Sequence, residues 1–262
     1  IDIDKDKRTI TISDNGCGMT EEELENNLGV IAESGSLHFK EENENQNDVN
    51  VIGQFGVGFY SAFMVSDKVT VESKSYKDEK ATIWSSSGVD GYTLSPSNKE
   101  SIGTVITLHL KEDTEDYNYS ELLTEYKIRS IIKKYSDYIS YPIKMEVENS
   151  RKKEDSDEYE TYKEITTINS MIPIWKKDKK KITAEEYNNF YSDKFYDYKE
   201  PLKVIHFNIE GNVNYTALLY IPSHAPYNYY SKEYEKGLQL YTNGVLIMDK
   251  TSDLLPDYFS FV

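Results

Sequence analysis

Two short glycine-rich stretches hold the residue types from which this chain could build a binding site. In the second, IGQFGVGF, three glycines from Gly53 to Gly58 are spaced GxxGxG, with Phe55, Val57 and Phe59 interleaved and Ser61 to Met64 able to start a helix behind them. Glycine tolerates positive φ and close approach of a ligand, so backbone N–H groups can converge on an anion where a helix begins. That chemistry suits phosphate. Some forty residues earlier, Asp14 ends a strand-like run, ITISDNGCGM, where Gly16 and Gly18 keep the backbone open and Met19 adds a flat apolar surface. A purine lying on Met19, with an exocyclic amine on Asp14 and phosphates reaching Gly56 to Phe59, would use both stretches. Each has a plainer reading alone. DNG is a common turn signal, and the glycine order is the reverse of the dinucleotide GxGxxG; no GK[ST] follows, which excludes a P-loop.

The elements around them fit such a site. Residues 1–13 alternate apolar and polar across a charged turn and read as a hairpin delivering Asp14. From Thr20, TEEELENNLGVIA has a capping threonine, an acidic first turn, and Leu24, Leu28 and Ile31 at helical spacing. The stretches VSDKVTVESKSY, ATIWSSS, GYTLSP and GTVITLHL alternate with period two, as antiparallel strands do. Apolar residues at helical spacing predict one long helix from Tyr119 to Ile139. The fold class expected is α/β: a two-layer α/β sandwich with a mostly antiparallel sheet, followed by an α/β middle domain. Domain bounds are expected at 1–148 and 159–262, with the charged run 149–158, NSRKKEDSDE, as linker. In the second part a helix over AEEYNNFYSDKF and sequential antiparallel strands are expected. His206 and His224 stand singly there and read as structural, and Lys176 to Lys181 read as a solvated basic loop or as a contact with acidic partners or with the first domain.

Taken together and in order, the two glycine stretches resemble the glycine boxes of the gyrase, histidine kinase and MutL ATPase superfamily, and IGQFGVGFYSAF narrows the resemblance to the ninety-kilodalton heat-shock chaperones. The stretches SDKVTV, GTVITLHL, RSIIKKYSDYI, YIPSHAPY and LLPDYFSFV are similar to that family in the same order, across nearly the whole chain. The resemblance implies an ATP-dependent molecular chaperone of the stress response that remodels unfolded or partly folded client proteins. It implies ATP with Mg2+ as cofactors, a cytoplasmic location, and a homodimer formed through a further domain. The nucleotide-binding residues it implies are Asp14, Gly18, Met19, Asn27, Gly53, Gln54, Phe55, Gly56, Val57, Gly58, Phe59 and Thr104, with Asn27 beside sugar and phosphates and Thr104 on the adenine side. Residues 34–50 correspond to the family's lid, and Glu33 stands where the family commonly has a basic residue.

No catalytic residue or metal ligand is expected within residues 1–262. In the family, a glutamate and an asparagine spaced ExxxN precede the DxGxG strand; Glu22 with Asn26, and Glu23 with Asn27, match that spacing but follow the strand, and so read as an acidic helix start. The family's γ-phosphate arginine would lie beyond Val262. Residues 1–262 alone are therefore expected not to hydrolyse ATP at a useful rate. Three readings stay open beside the chaperone: a DNA-directed relative, a histidine kinase, and a nucleotide-gated interaction module without turnover.

Composition narrows these. The chain's 262 residues favour two domains, and 46 acidic against 30 basic residues give a formal net charge of −16, which repels phosphate backbones and makes nucleic acid an unexpected partner. A single cysteine, Cys17, excludes an intramolecular disulfide; the resemblance, in which this position usually carries a small aliphatic residue, implies that it is buried and without chemistry. No apolar run reaches membrane-spanning length, so no membrane partner is expected and a reducing, soluble compartment fits. The chain has 23 tyrosines, several within APYNYYSKEYEKGLQLY; if exposed, they would suit adaptable protein contacts.

Overall fold

The structure, a computed structural model, describes residues 1–29, 52–53, 58–152, 159–211, 213–226, 229–232 and 234–262. Contacts divide the chain into two compact units, one of Ile1–Ile131 with Ile143–Ile168, the other of Ile132–Pro142 with Asn169–Val262.

In the first unit, six strands form one antiparallel sheet: β1 (Asp2–Asp4), β2 (Thr9–Ser13), β3 (Ser66–Lys74), β4 (Ala81–Ser86), β5 (Tyr92–Ser97) and β6 (Gly103–Leu110), in spatial order β1-β2-β6-β3-β4-β5. The period-two alternation explains which face is buried. Along β3 the inward positions are Val69, Val71 and Ser73, while Asp67 and Lys68 stay outside. Helix α1 (Glu21–Gly29) buries Leu24 and Leu28 against Val69, Val71 and Trp84, and Met19, Phe59, Ala62, Phe63 and Ile106 pack on the same cluster. Burying such side chains stabilises the unit by about 1.5–3 kcal/mol each. Helix on sheet gives the two-layer α/β arrangement with a mostly antiparallel sheet.

Local chemistry sets the helix ends. Thr20 accepts from the Glu23 amide at 3.2 Å while Glu23 accepts from the Thr20 amide at 2.9 Å, a reciprocal box at the start of α1. Behind the second glycine stretch lies the short helix α2 (Ala62–Val65), whose carbonyl end is met by Lys111: Nζ donates to the Phe63 and Met64 carbonyls at 2.8 and 3.2 Å. The single helix expected over Tyr119–Ile139 is instead a 3-10 turn (Tyr119–Leu123) and α3 (Glu125–Tyr135). Thr124 causes the break: its extended backbone ends the turn, and its hydroxyl accepts the Lys127 amide at 3.3 Å as a fresh cap. Strands β7 (Lys144–Lys152) and β8 (Tyr159–Thr167) pair in register from Lys144↔Thr167 to Lys152↔Tyr159. The expected linker, 149–158, falls on this hairpin, with 153–158 outside the described residues.

The second unit holds α4 (Ala184–Phe195), opened by a Thr183/Glu186 capping box, and the antiparallel pairs β9 (Lys203–Ile209) with β10 (Tyr215–Ile221) and β11 (Leu238–Thr242) with β12 (Val245–Thr251). Its core is aromatic. Tyr138, Trp175 and Tyr241 lie with ring centroids 4.8, 5.4 and 5.3 Å apart, Phe190 reaches Trp175, and Tyr220 packs on Phe190 and Tyr191.

Candidate functional site

Asp14 follows the last residue of β2, and the end of the sheet fixes one face of its carboxylate. The Gly16 amide donates to Oδ1 at 2.9 Å and the Thr104 amide to the same oxygen at 3.3 Å, while the Asp14 amide donates to the Thr104 carbonyl at 2.9 Å. Oδ2 has no partner among the described residues, and the side chain is exposed. This close approach of the β2 end to the β6 start depends on Gly103 at φ 120°, where a Cβ would sit 2.2 Å from the Asp14 carbonyl oxygen.

The loop after Asp14 is pressed on the end of β3. At Gly18, φ is 66° and a Cβ would fall 1.8 Å from the Lys74 carbonyl oxygen, so glycine alone fits. The next residue, Met19, donates its amide to Ser73 Oγ at 2.8 Å, and Ser73 Oγ lies 3.0 Å from Thr104 Oγ1. Asn27 faces the same place from α1, with Nδ2 3.9 Å from the Met19 sulfur. Asp14, Met19, Asn27 and Thr104 therefore come together, around a carboxylate oxygen, a hydroxyl and a thioether face. Phe59 shares the apolar cluster with Met19. Gly53 is at φ 80°, and among the described residues nothing lies within 4 Å of where a Cβ would be at Gly53 or Gly58. Gln54, Phe55, Gly56 and Val57, and Glu33 and the expected lid at 34–50, lie outside the described residues.

Several neighbours are already committed. Partial burial pushes the Glu23 carboxyl up, but hydrogen bonds from Lys77 at 2.8 Å and from the Thr20 amide outweigh it and hold it below the ordinary carboxylate range. Glu23 thus serves the helix start. Cys17 is exposed rather than buried, because its carbonyl is drawn inward to the Tyr76 amide at 2.9 Å and the flanking chain turns the side chain out. Among the described residues, no three His, Cys, Asp or Glu side chains are grouped closely enough to hold a metal ion. A cleft of about 660 Å³ lies where β4 starts and β5 ends, away from the turn that joins them, lined by Lys74, Lys80 and Lys99 and by Glu21, Glu79 and Glu100; it includes none of the residues expected at the site.

Ser73 is the site residue that sequence reasoning missed. Its signal was present: the inward positions of β3 run valine, valine, serine, and a polar residue at a core position asks for a partner.

The chain is similar to known proteins over nearly its whole length. Residues 1–115 match the family model described as histidine kinase-, DNA gyrase B-, and HSP90-like ATPase, and residues 148–262 match the model described as Hsp90 protein. "Chaperone protein HtpG" of Alkaliphilus oremlandii is 60% identical over 260 residues, 99% of this chain. The chain belongs to the Hsp90 family. Proteins of the same printed name from Shouchella clausii and Clostridium acetobutylicum are each 58% identical over 263 residues, 100% of this chain. This Hsp90-family chain spans 42% of the length of those relatives. Among its described residues, no helix is long and apolar enough to cross a membrane.

Proposed function

We propose that the chain forms the nucleotide-binding part, and part of the middle region, of an ATP-dependent molecular chaperone that binds and remodels unfolded or partly folded client proteins. The observation that carries this reading is Asp14 Oδ2, without a partner among the described residues and held beside Thr104 by two backbone amides on Oδ1. In this role Asp14 accepts the exocyclic amine of adenine, Met19 covers the ring face, and Thr104 closes the edge. Asn27 lies on the sugar and phosphate side, and Gly53 to Phe59, Gln54 to Val57 included, offer backbone N–H groups to the phosphates. Gly18 holds the loop against β3. Magnesium, carried with the nucleotide, supplies charge neutralisation at the phosphates. Client contact is supported by exposed aromatic rings of the second unit, Tyr196, Tyr198, Tyr230 and Tyr258 among them. The net charge of −16 supports a protein rather than a nucleic-acid partner, and the single cysteine supports a reducing, cytoplasmic setting. Assembly of the intact protein as a homodimer completes the proposal.

The test is magnesium-dependent phosphate release by the intact protein, with ATP-dependent suppression of aggregation of a thermally unfolded client. Both activities are expected. Glu22→Gln and Glu23→Gln should leave turnover within about twofold of wild type, since a positioned base contributes about 10² to 10⁴ in rate and neither residue is assigned that role. Loss of turnover in either variant would move the catalytic centre to α1, and absence of both activities would overturn the function.

A further inference from the structure

The hydroxyl pair behind the proposed adenine position has a direction. Ser73 is fully buried at 0% exposure, and Thr104 is buried at 6%. Their oxygens lie 3.0 Å apart, and Ser73 Oγ already accepts the Met19 amide. Two hydroxyl hydrogens are available and one of them bridges the pair. If Thr104 donated to Ser73, the Ser73 hydrogen would be left in the core with no acceptor among the described residues, an arrangement that buried polar groups avoid. Satisfying the network therefore assigns Ser73 as donor and Thr104 Oγ1 as acceptor. The remaining hydrogen, on the less buried Thr104, then points away from Ser73, on the residue whose amide holds Asp14 Oδ1.

We propose that Ser73 fixes Thr104 as a hydrogen-bond donor and so makes the site select a 6-aminopurine over a 6-oxopurine nucleotide. With Ser73 in place, the rim presents an acceptor, Asp14 Oδ2, beside a donor, the Thr104 hydroxyl. Adenine matches this with its amino group as donor and ring N1 as acceptor. Hypoxanthine and guanine reverse both, with a carbonyl at position 6 and a hydrogen on N1. Ser73 touches no ligand; it is a positioning residue that acts through Thr104. This inference rests on the nucleotide reading above.

The experiment measures ATP and ITP affinities calorimetrically for the intact protein and its variants, because ITP differs from ATP only at the edge in question. Wild type should prefer ATP by at least about tenfold, as expected when polar groups meet mismatched partners in a partly desolvated site. Ser73→Ala frees the Thr104 hydroxyl to rotate and accept, so the ATP-to-ITP preference should fall by about fivefold or more. Ser73→Thr, which keeps the donor, should restore it. A role in packing alone would not change this ratio. Should Ser73→Ala fail to fold, Thr104→Val removes the same donor from the rim and should reduce the preference similarly. ATP binding with an unaltered ratio in the folded variants would overturn the role of Ser73 and leave the nucleotide reading standing. Wild-type protein that binds neither nucleotide would overturn the nucleotide reading itself.

Discussion

The two units use buried polar groups in opposite ways. In the second, polar tips inside the aromatic core are spent on architecture: Tyr187 OH lies 2.7 Å from His206 Nδ1, His206 Nε2 lies 3.0 Å from the Trp175 carbonyl, Tyr191 donates to Asp197 at 2.7 Å, and Tyr220 donates to the Tyr187 carbonyl at 3.1 Å. The Trp175 carbonyl can only accept, so His206 Nε2 donates to it; both ring nitrogens are engaged and the residue holds the Trp175 turn in place. In the first unit, the Asp14–Ser73–Thr104 network uses most of its capacity internally and, among the described residues, leaves one carboxylate oxygen and one hydroxyl hydrogen unspent. Unspent capacity is what separates a recognition site from a polar core.

The largest contrast should appear at alkaline pH. Burial pushes the phenols of Tyr138, Tyr191 and Tyr220 well above their ordinary range and that of Tyr241 up to about 12. Unfolded tyrosines ionise near pH 10. Above that pH the unfolded chain gains by releasing protons that the folded unit retains, so stability present below pH 10 is lost as pH rises toward 12. Lys194 acts the other way. Burial lowers its ammonium pKa, against the pull of Asp137 and Asp249, so its cost to the fold fades as pH rises; one lysine does not offset four tyrosines. Each unit carries one tryptophan, Trp84 or Trp175, so Trp→Phe variants report each unit by fluorescence. The Trp175 signal should be lost between pH 10 and 12 while the Trp84 signal persists. Loss of the Trp84 signal first would break the contrast.

A smaller effect should be confined to the first unit. Gly18→Ala combines a left-handed backbone with a Cβ 1.8 Å from a carbonyl oxygen, and should cost about 2–5 kcal/mol by denaturant unfolding followed at Trp84. An unaltered midpoint would mean that the Gly18 loop is not pressed on β3 as described.

Much of this was legible in the sequence because it is local. The Thr20 cap, the alternation of β3 to β6 and the Asp14 strand end each depend on residues a few positions apart. Ser73 was missed because its meaning depends on cross-strand register: only the pairing of Ser73 with Thr104 brings the hydroxyls together. The charged run at 149–152 was read as connector because it lacks apolar alternation, yet it continues β7. Cross-strand partners replace apolar contacts there: Arg151 pairs with Glu160 at 2.5 Å and stacks over Tyr162, and lower in the hairpin Lys163 pairs with Glu146 at 2.7 Å. The 23 tyrosines could not be sorted either. Composition does not distinguish Tyr138, at 5% exposure, from Tyr230, at 90%.

The claim that unspent capacity marks the site is tested most directly at Asp14, by calorimetric titration of the intact Asp14→Asn protein with ATP. In the variant, the amide oxygen must take the position of Oδ1 to accept the Gly16 and Thr104 amides, which turns the Asn NH2 group toward the ligand in place of Oδ2. A donor then faces the donor of the adenine amine. Leaving such a group unpaired costs about 1–3 kcal/mol, so affinity should fall by about fivefold or more with the circular dichroism spectrum unaltered. Wild-type affinity in a folded Asp14→Asn protein would contradict the assignment of Asp14 and, with it, the site.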